Sequence, residues 1–172
     1  DDEMQFVPSA QLLTLEEISK IALAFTELGV KKIRITGGEP LIRRNVIQLF
    51  EDIGQLPGLD EMVLTTNGSQ LTKFARPLKD AGVRRINISL DSLNVEKFKR
   101  ITRVGELNNV LSGIDAAIKV GFEKIKLNTV ILKNRNDDEI INLVRYASDR
   151  DMDISFIEEM PLGVIGDHDR AE

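Results

Sequence analysis

Five short runs of β-type residues alternate with segments of helical spacing along this chain, and that alternation leaves few folds open. The period-two runs predict strands over 32–37, 62–66, 85–90, 124–132 and 154–157. Before and between them, apolar residues three and four apart predict helices over 15–28, 43–53, 71–81, 95–101, 110–120 and 137–149. Thr14-Leu15-Glu16-Glu17 reads as a capping box, Gly29, Gly82 and Gly121 as helix stops, and Asn136 as the opening of the last helix. Pro57-Gly58 and Asn67-Gly68 are turns. Strands joined by helical crossovers run parallel, so the fold class is α/β, a partial TIM-like (β/α) barrel of parallel strands. No internal repeat, low-complexity tract or linker divides the 172 residues. The barrel core is expected over 1–162, with 163–172 as a polar tail.

The strand faces carry the first functional signal. Ile33 and Ile35 oppose Arg34 and Thr36; Ile86, Ile88 and Leu90 oppose Arg85, Asn87, Ser89 and Asp91; Ile125, Leu127 and Thr129 oppose Lys126 and Asn128. A packed barrel interior is lined by branched apolar side chains, and doubly buried parallel strands read as continuous apolar runs. These strands do not. With helices on the apolar face, the polar sets converge inside, where Arg34 and Lys126 without partners would cost too much. A polar lumen for an anionic, hydrogen-bonding ligand is therefore expected. The plainer reading is an open sheet whose second face is solvated, a habit of antiparallel sheets rather than parallel ones.

The strand ends carry the second signal, because α/β barrels bind ligands at the C-terminal rim. There the chain offers Thr36-Gly37-Gly38-Glu39, Thr65-Thr66-Asn67-Gly68, Ser89-Leu90-Asp91 and Glu158-Glu159-Met160. Any one alone is a turn or cap, and Gly37-Gly38 alone is a tight turn; their recurrence marks a rim. In Ile35-Thr36-Gly37-Gly38-Glu39-Pro40 the diglycine lets a ligand reach the backbone, Glu39 can accept from an ammonium group, and Pro40 stops the strand. Arg43-Arg44 reads as a solvated first helical turn, and Arg84-Arg85 as one surface and one lumen residue.

Composition removes other classes. A net charge of −5, one Tyr and no Trp argue against a nucleic-acid partner. No basic leader precedes an apolar run and no stretch nears the roughly 20 apolar residues of a membrane span, so no membrane contact and a cytoplasmic location are expected. With no cysteine, the chain has neither disulfides nor thiolate metal ligands. His168, in Asp167-His168-Asp169, lacks the nitrogen or sulfur company a transition metal wants, and no metal site is assigned. The chain begins Asp1-Asp2-Glu3 without Met, and a longer parent is expected.

Taken in order, Gly37-Gly38-Glu39-Pro40, Thr65-Thr66-Asn67-Gly68, Asn87-Ile88-Ser89-Leu90-Asp91, Lys126-Leu127-Asn128-Thr129-Val130 and Phe156-Ile157-Glu158-Glu159-Met160 resemble one family. It is the GTP 3′,8-cyclase family of radical S-adenosylmethionine (SAM) enzymes, the molybdenum cofactor biosynthesis protein A family. The resemblance covers nearly the whole chain. Gly-Gly-Glu-Pro alone marks the superfamily, while the ordered set with Arg34 and Lys126 is much more specific.

The resemblance implies a radical SAM barrel lacking its first strand. It further implies reductive cleavage of SAM by a 4Fe-4S cluster, giving a 5′-deoxyadenosyl radical that takes a hydrogen from the ribose of GTP. The product would be (8S)-3′,8-cyclo-7,8-dihydroguanosine 5′-triphosphate, passed to cyclic pyranopterin monophosphate synthase on the route to molybdopterin. Position by position, Gly38, Glu39, Ser89 and Met160 match contacts to SAM, and Arg34, Thr65 and Lys126 match contacts to GTP. Arg and Lys suit a triphosphate by charge and donor geometry, and with no P-loop the nucleotide would be held by barrel side chains.

No catalytic residue is assigned. The family's two 4Fe-4S clusters take their ligands from a CxxxCxxC loop that normally lies shortly before the position of Asp1 and from a C-terminal domain, both absent here. Ser155 stands where many members carry Arg. The fragment alone is expected to be inactive, and a homodimer is among the assemblies allowed. Two other readings stay open: an aldolase-like lyase forming a Schiff base on Lys126, in which Gly-Gly-Glu-Pro has no job, and a non-catalytic nucleotide-binding module.

Overall fold

The computed structural model describes residues 12–159, and its first helix starts where the sequence places a cap. The Glu17 amide donates to the Thr14 hydroxyl at 3.1 Å, and the Thr14 amide donates to the Glu17 carboxylate at 2.7 Å. From that box runs α1 (Leu15–Glu27), then β1 (Lys32–Ile35), α2 (Val46–Gly54), β2 (Glu61–Thr66) and α3 (Leu71–Asp80). After these come β3 (Val83–Ser89), α4 (Val95–Thr102), α5 (Leu107–Val120), β4 (Lys124–Ile131), α6 (Ile140–Ser148) and β5 (Asp153–Glu158). Met160 and the 163–172 tail with His168 lie outside the described residues.

The five strands form one parallel sheet in the order β1-β2-β3-β4-β5, an open arc of a barrel rather than a closed one. When every crossover leads to the next strand and all share the right-handed sense, the helices stack on a single face. Burial follows that division. Met62, Leu64, Ile86, Ile88 and Leu127 are sealed with Leu49, Phe50, Leu71, Leu78 and Ile114 of the helices. Each such side chain contributes about 1.5–3 kcal/mol by leaving water. On the opposite face Arg34 and Ser89 are exposed and Thr65, Lys126 and Asn128 half-buried; Val63 is its one sealed aliphatic side chain among the described residues.

Several boundaries shift for backbone reasons. β1 stops at Ile35, short of the expected residue 37, because Gly37 takes φ +153°. The helix expected from 43 begins only at Val46, after Asn45 at φ 58°, and a 3-10 turn, Pro40–Ile42, precedes it. The helix expected from 137 likewise opens with a 3-10 turn, Asp137–Glu139, before α6. No helix among the described residues is long and apolar enough to cross a membrane. β1 is an edge strand, the kind of edge that accepts another strand.

The loop after β2 is pinned from behind. A Cβ on Gly113 of α5 would strike the Gly68 carbonyl, and one on Gly68 would lie 2.9 Å from Ile88 Cγ2. Gly113→Ala is therefore expected to destabilise the fold by about 1–3 kcal/mol, read as a lower urea midpoint. An unchanged midpoint would mean that α5 does not rest on this loop.

Candidate functional site

Parallel register gathers the polar side chains into rows. Thr65 pairs with Asn87 and Asn87 with Lys126; one step nearer the C-terminal rim, Ser89 pairs with Asn128 and Asn128 with Ser155. Arg34 pairs with Val63 one step below, and its Nη1 donates to Thr65 Oγ1 at 3.1 Å. Three strand spacings and a two-residue offset along the strands separate Arg34 from Lys126, so their backbones stand about 16 Å apart, within span of two long side chains and a ligand between them.

Charge is distributed unevenly over this face. At its N-terminal edge Lys32 pairs with Glu61, Arg85 lies 3.5 Å from the same carboxylate, and Lys124 lies 3.4 Å from Asp153. The Lys32 hydrogen bond holds the Glu61 carboxyl below the usual glutamate range. Farther up, Arg34 has only the neutral Thr65 hydroxyl, and Lys126 makes no ion pair among the described residues. The expectation for Arg84-Arg85 holds in part: Arg85 is on the polar face, and Arg84 pairs at the surface with Glu123 at 3.7 Å. Arg43 is not a freely solvated helical turn, because its guanidinium donates to the Leu13 carbonyl.

The rim is built by side chains reaching between strand ends. An added Cβ at Gly37 or Gly38 would meet nothing within 4 Å, so this backbone stands open. Glu39 is tied inward: its carboxylate accepts from the Leu41 amide at 3.0 Å, the Thr66 hydroxyl at 2.8 and 3.0 Å, and the Asn67 amide at 2.6 Å. Beside Ser89 lies a cleft of about 350 Å³ bounded by Asn67, Asp91, Phe98, Asn109 and Val110.

On the far side, the Val130 amide donates to Asp91 at 2.8 Å. Asn136, fully buried, donates to the Asp91 and Val130 carbonyls at 2.7 and 2.8 Å and accepts from the Leu132 amide at 2.8 Å. Glu139 accepts from the Ser92 hydroxyl at 2.6 Å and the Leu93 amide at 2.8 Å. Asn136 does open the last helical segment, standing at the N-cap of its 3-10 turn, but its side chain makes no capping hydrogen bond and instead braces the ends of β3 and β4. Its partner Asp91 lies 45 residues away, and that pairing was not legible in the sequence.

Arg34, Thr65, Ser89 and Lys126 thus share one face, and Gly38 and Glu39 sit at its β1 corner. This is an open (β/α) half-barrel with a polar face and a loop-built C-terminal rim. Residues 3–147 match the radical SAM superfamily, and the chain belongs to it.

Among curated relatives, the chain is 57% identical over 171 residues to a GTP 3′,8-cyclase of Pseudomonas putida (strain W619), covering 99% of this chain and 51% of that protein. It is 59% identical over 171 residues to a GTP 3′,8-cyclase of Pseudomonas fluorescens (strain Pf0-1), covering 99% and 52%. The chain spans about half the length of the curated relatives it matches. Among solved structures, Streptococcus suis SuiB bound to S-adenosylmethionine superposes with a TM-score of 0.73 at 21% identity, covering 85% of this chain and 34% of that one; the likeness establishes the fold.

Burial raises the Asp91 carboxyl above the usual aspartate range, against the lowering effect of the Val130 amide. A folded state that holds this proton more tightly than the unfolded chain loses stability as pH rises through that range and above it. Asp91→Asn keeps an oxygen for the Val130 amide and removes the titration. Its melting temperature relative to the wild type is expected to climb between about pH 3 and about pH 6. A flat or falling difference would refute the burial argument.

Proposed function

We propose that this chain supplies the central strands of a GTP 3′,8-cyclase, a radical enzyme that holds SAM and GTP over one polar sheet face at the start of molybdenum cofactor biosynthesis. The observation that carries the reading is the pair of cations without carboxylate partners among the described residues, Arg34 and Lys126, on the same face as the exposed Ser89 and next to the open Gly37-Gly38 backbone. Arg34 and Lys126 receive the triphosphate, for which a guanidinium fork and an ammonium group are suited donors. Thr65, already hydrogen-bonded to Arg34, fixes the guanidinium and adds a neutral contact.

The residues present fit SAM at the β1 corner, where backbone unobstructed by side chains meets a polar rim. Gly38 and Ser89 hold it, and Met160 is assigned to the same ligand. When bound, it supplies the hydrogen-abstracting chemistry of the superfamily; the residues of this chain orient the ribose of GTP toward it. The chain has no cysteine, so thiolates for an iron–sulfur cluster are not among its 172 residues, and it is inactive alone. The same reading places the enzyme in the cytoplasm, permits a homodimer, and hands the cyclised nucleotide to cyclic pyranopterin monophosphate synthase. The 57–59% identity to GTP 3′,8-cyclases over 99% of this chain weighs against a Schiff base on Lys126.

Isothermal titration of the full-length protein with its clusters reconstituted tests the assignment. Arg34→Ala and Lys126→Ala are each expected to weaken GTP by about 10- to 100-fold, the range for a lost charge-assisted hydrogen bond, while SAM affinity stays close to the wild type. Both ligands binding undiminished would overturn the assignment.

A further inference from the structure

We infer that Glu39 is a positioning residue rather than a ligand: its carboxylate is a strut that locks the diglycine loop after β1 to the end of β2, so one anion sets the geometry of both ligand sites. The inference rests on the function proposed above and assigns Glu39 a role within that site.

The strut is visible as hydrogen-bond accounting. Oε1 accepts from the Leu41 amide and the Thr66 hydroxyl, and Oε2 accepts from the Asn67 amide and the same hydroxyl. Thr66 is 2% exposed; its single proton goes to Glu39 and its oxygen accepts from the Gly68 amide at 3.1 Å. Asn67 follows the last residue of β2, so its amide has no ladder partner and depends on the carboxylate. In every one of these contacts the Glu39 side chain is the acceptor. Three donors fill three of the roughly four lone-pair sites on the carboxylate, so an incoming ammonium group would compete with them for the last, whereas the open diglycine backbone beside it is unencumbered.

The tie also reaches the nucleotide side. Thr65 lies next to Thr66 in β2 and accepts from Arg34 of β1, so β1 and β2 are laced twice, once by Arg34 to Thr65 and once by Glu39 to Thr66 and Asn67. Loosening the upper lace displaces the Gly38 backbone relative to Thr65, and each site loses its alignment to the other.

Glu39→Gln preserves shape but sets an NH₂ group against an N–H donor, which cuts the strut at one end. In the full-length reconstituted protein, calorimetry is expected to show SAM and GTP both weakened by about tenfold. Hydrogen exchange is expected to show faster loss of protection at the Asn67 and Leu41 amides. Thr66→Val, a gentler cut, is expected to produce a smaller loss for both ligands, and Thr66→Ser, which keeps the hydroxyl, to restore them. If Glu39→Gln weakens SAM alone with Asn67 exchange unchanged, Glu39 is a direct ligand and the strut is wrong; if neither ligand is affected, the strut is also wrong. A wild-type protein that binds neither ligand defeats the function reading itself, which the wild-type titrations report separately from the variants.

Discussion

The sheet's two-sidedness is the constraint from which the rest follows. Parallel strands taken in sequence order, with crossovers of one hand, put every helix on the same side, and the pleat then sorts alternate residues between a sealed layer and an open one. Slipping any strand by one residue would bury Arg34 or Lys126 under a helix and push Ile33 or Leu127 into water, so register and site are specified together. The core layer of Leu64, Ile86, Ile88 and Leu127 is in this sense what aims the polar residues.

Along the polar face, charge neutralisation is graded. The N-terminal edge balances its own cations through Glu61 and Asp153, while two residues farther along β1 and β4 the balance lapses at Arg34 and Lys126. Exposed pairs of this kind contribute little to stability, commonly under about 1 kcal/mol, so the paired edge is not there to hold the fold together. Its effect is to remove competing carboxylates and cations from the neighbourhood of the two that remain available.

Strand and helix order was legible because periods of two and 3.6 residues are local properties, and the face assignment of Arg34, Ser89 and Lys126 followed from period two alone, while Thr65 was placed with them only through the family resemblance. Boundaries were less legible where a single backbone torsion intervenes: Gly37 ends β1 and Asn45 delays α2, and neither event leaves a hydrophobic signature. Glu39 shows the other limit. Its residue type marks it as an acceptor, but its donors Thr66 and Asn67 lie 27 and 28 residues onward, so the sequence reading could assign it to a ligand ammonium and had no view of the internal claim on its oxygens. Asn136 and Asp91 were hidden for the same reason, their partnership being made only when β3 and β4 lie side by side.

The two braces at the rim differ in kind. Between β3 and β4 the tie is a buried amide satisfied by three backbone groups, which leaves no exchangeable partner and fixes Ser89 and Asn128 against one another. Between β1 and β2 the tie is a half-buried carboxylate with water access, beside glycines whose backbone meets no neighbour. Charge-assisted hydrogen bonds rather than packed aliphatic contacts hold that corner, and they hold it only while the carboxylate keeps its internal donors. The β3–β4 side of the rim is therefore a sealed frame, and the diglycine loop at β1 is set against it through the Glu39 carboxylate.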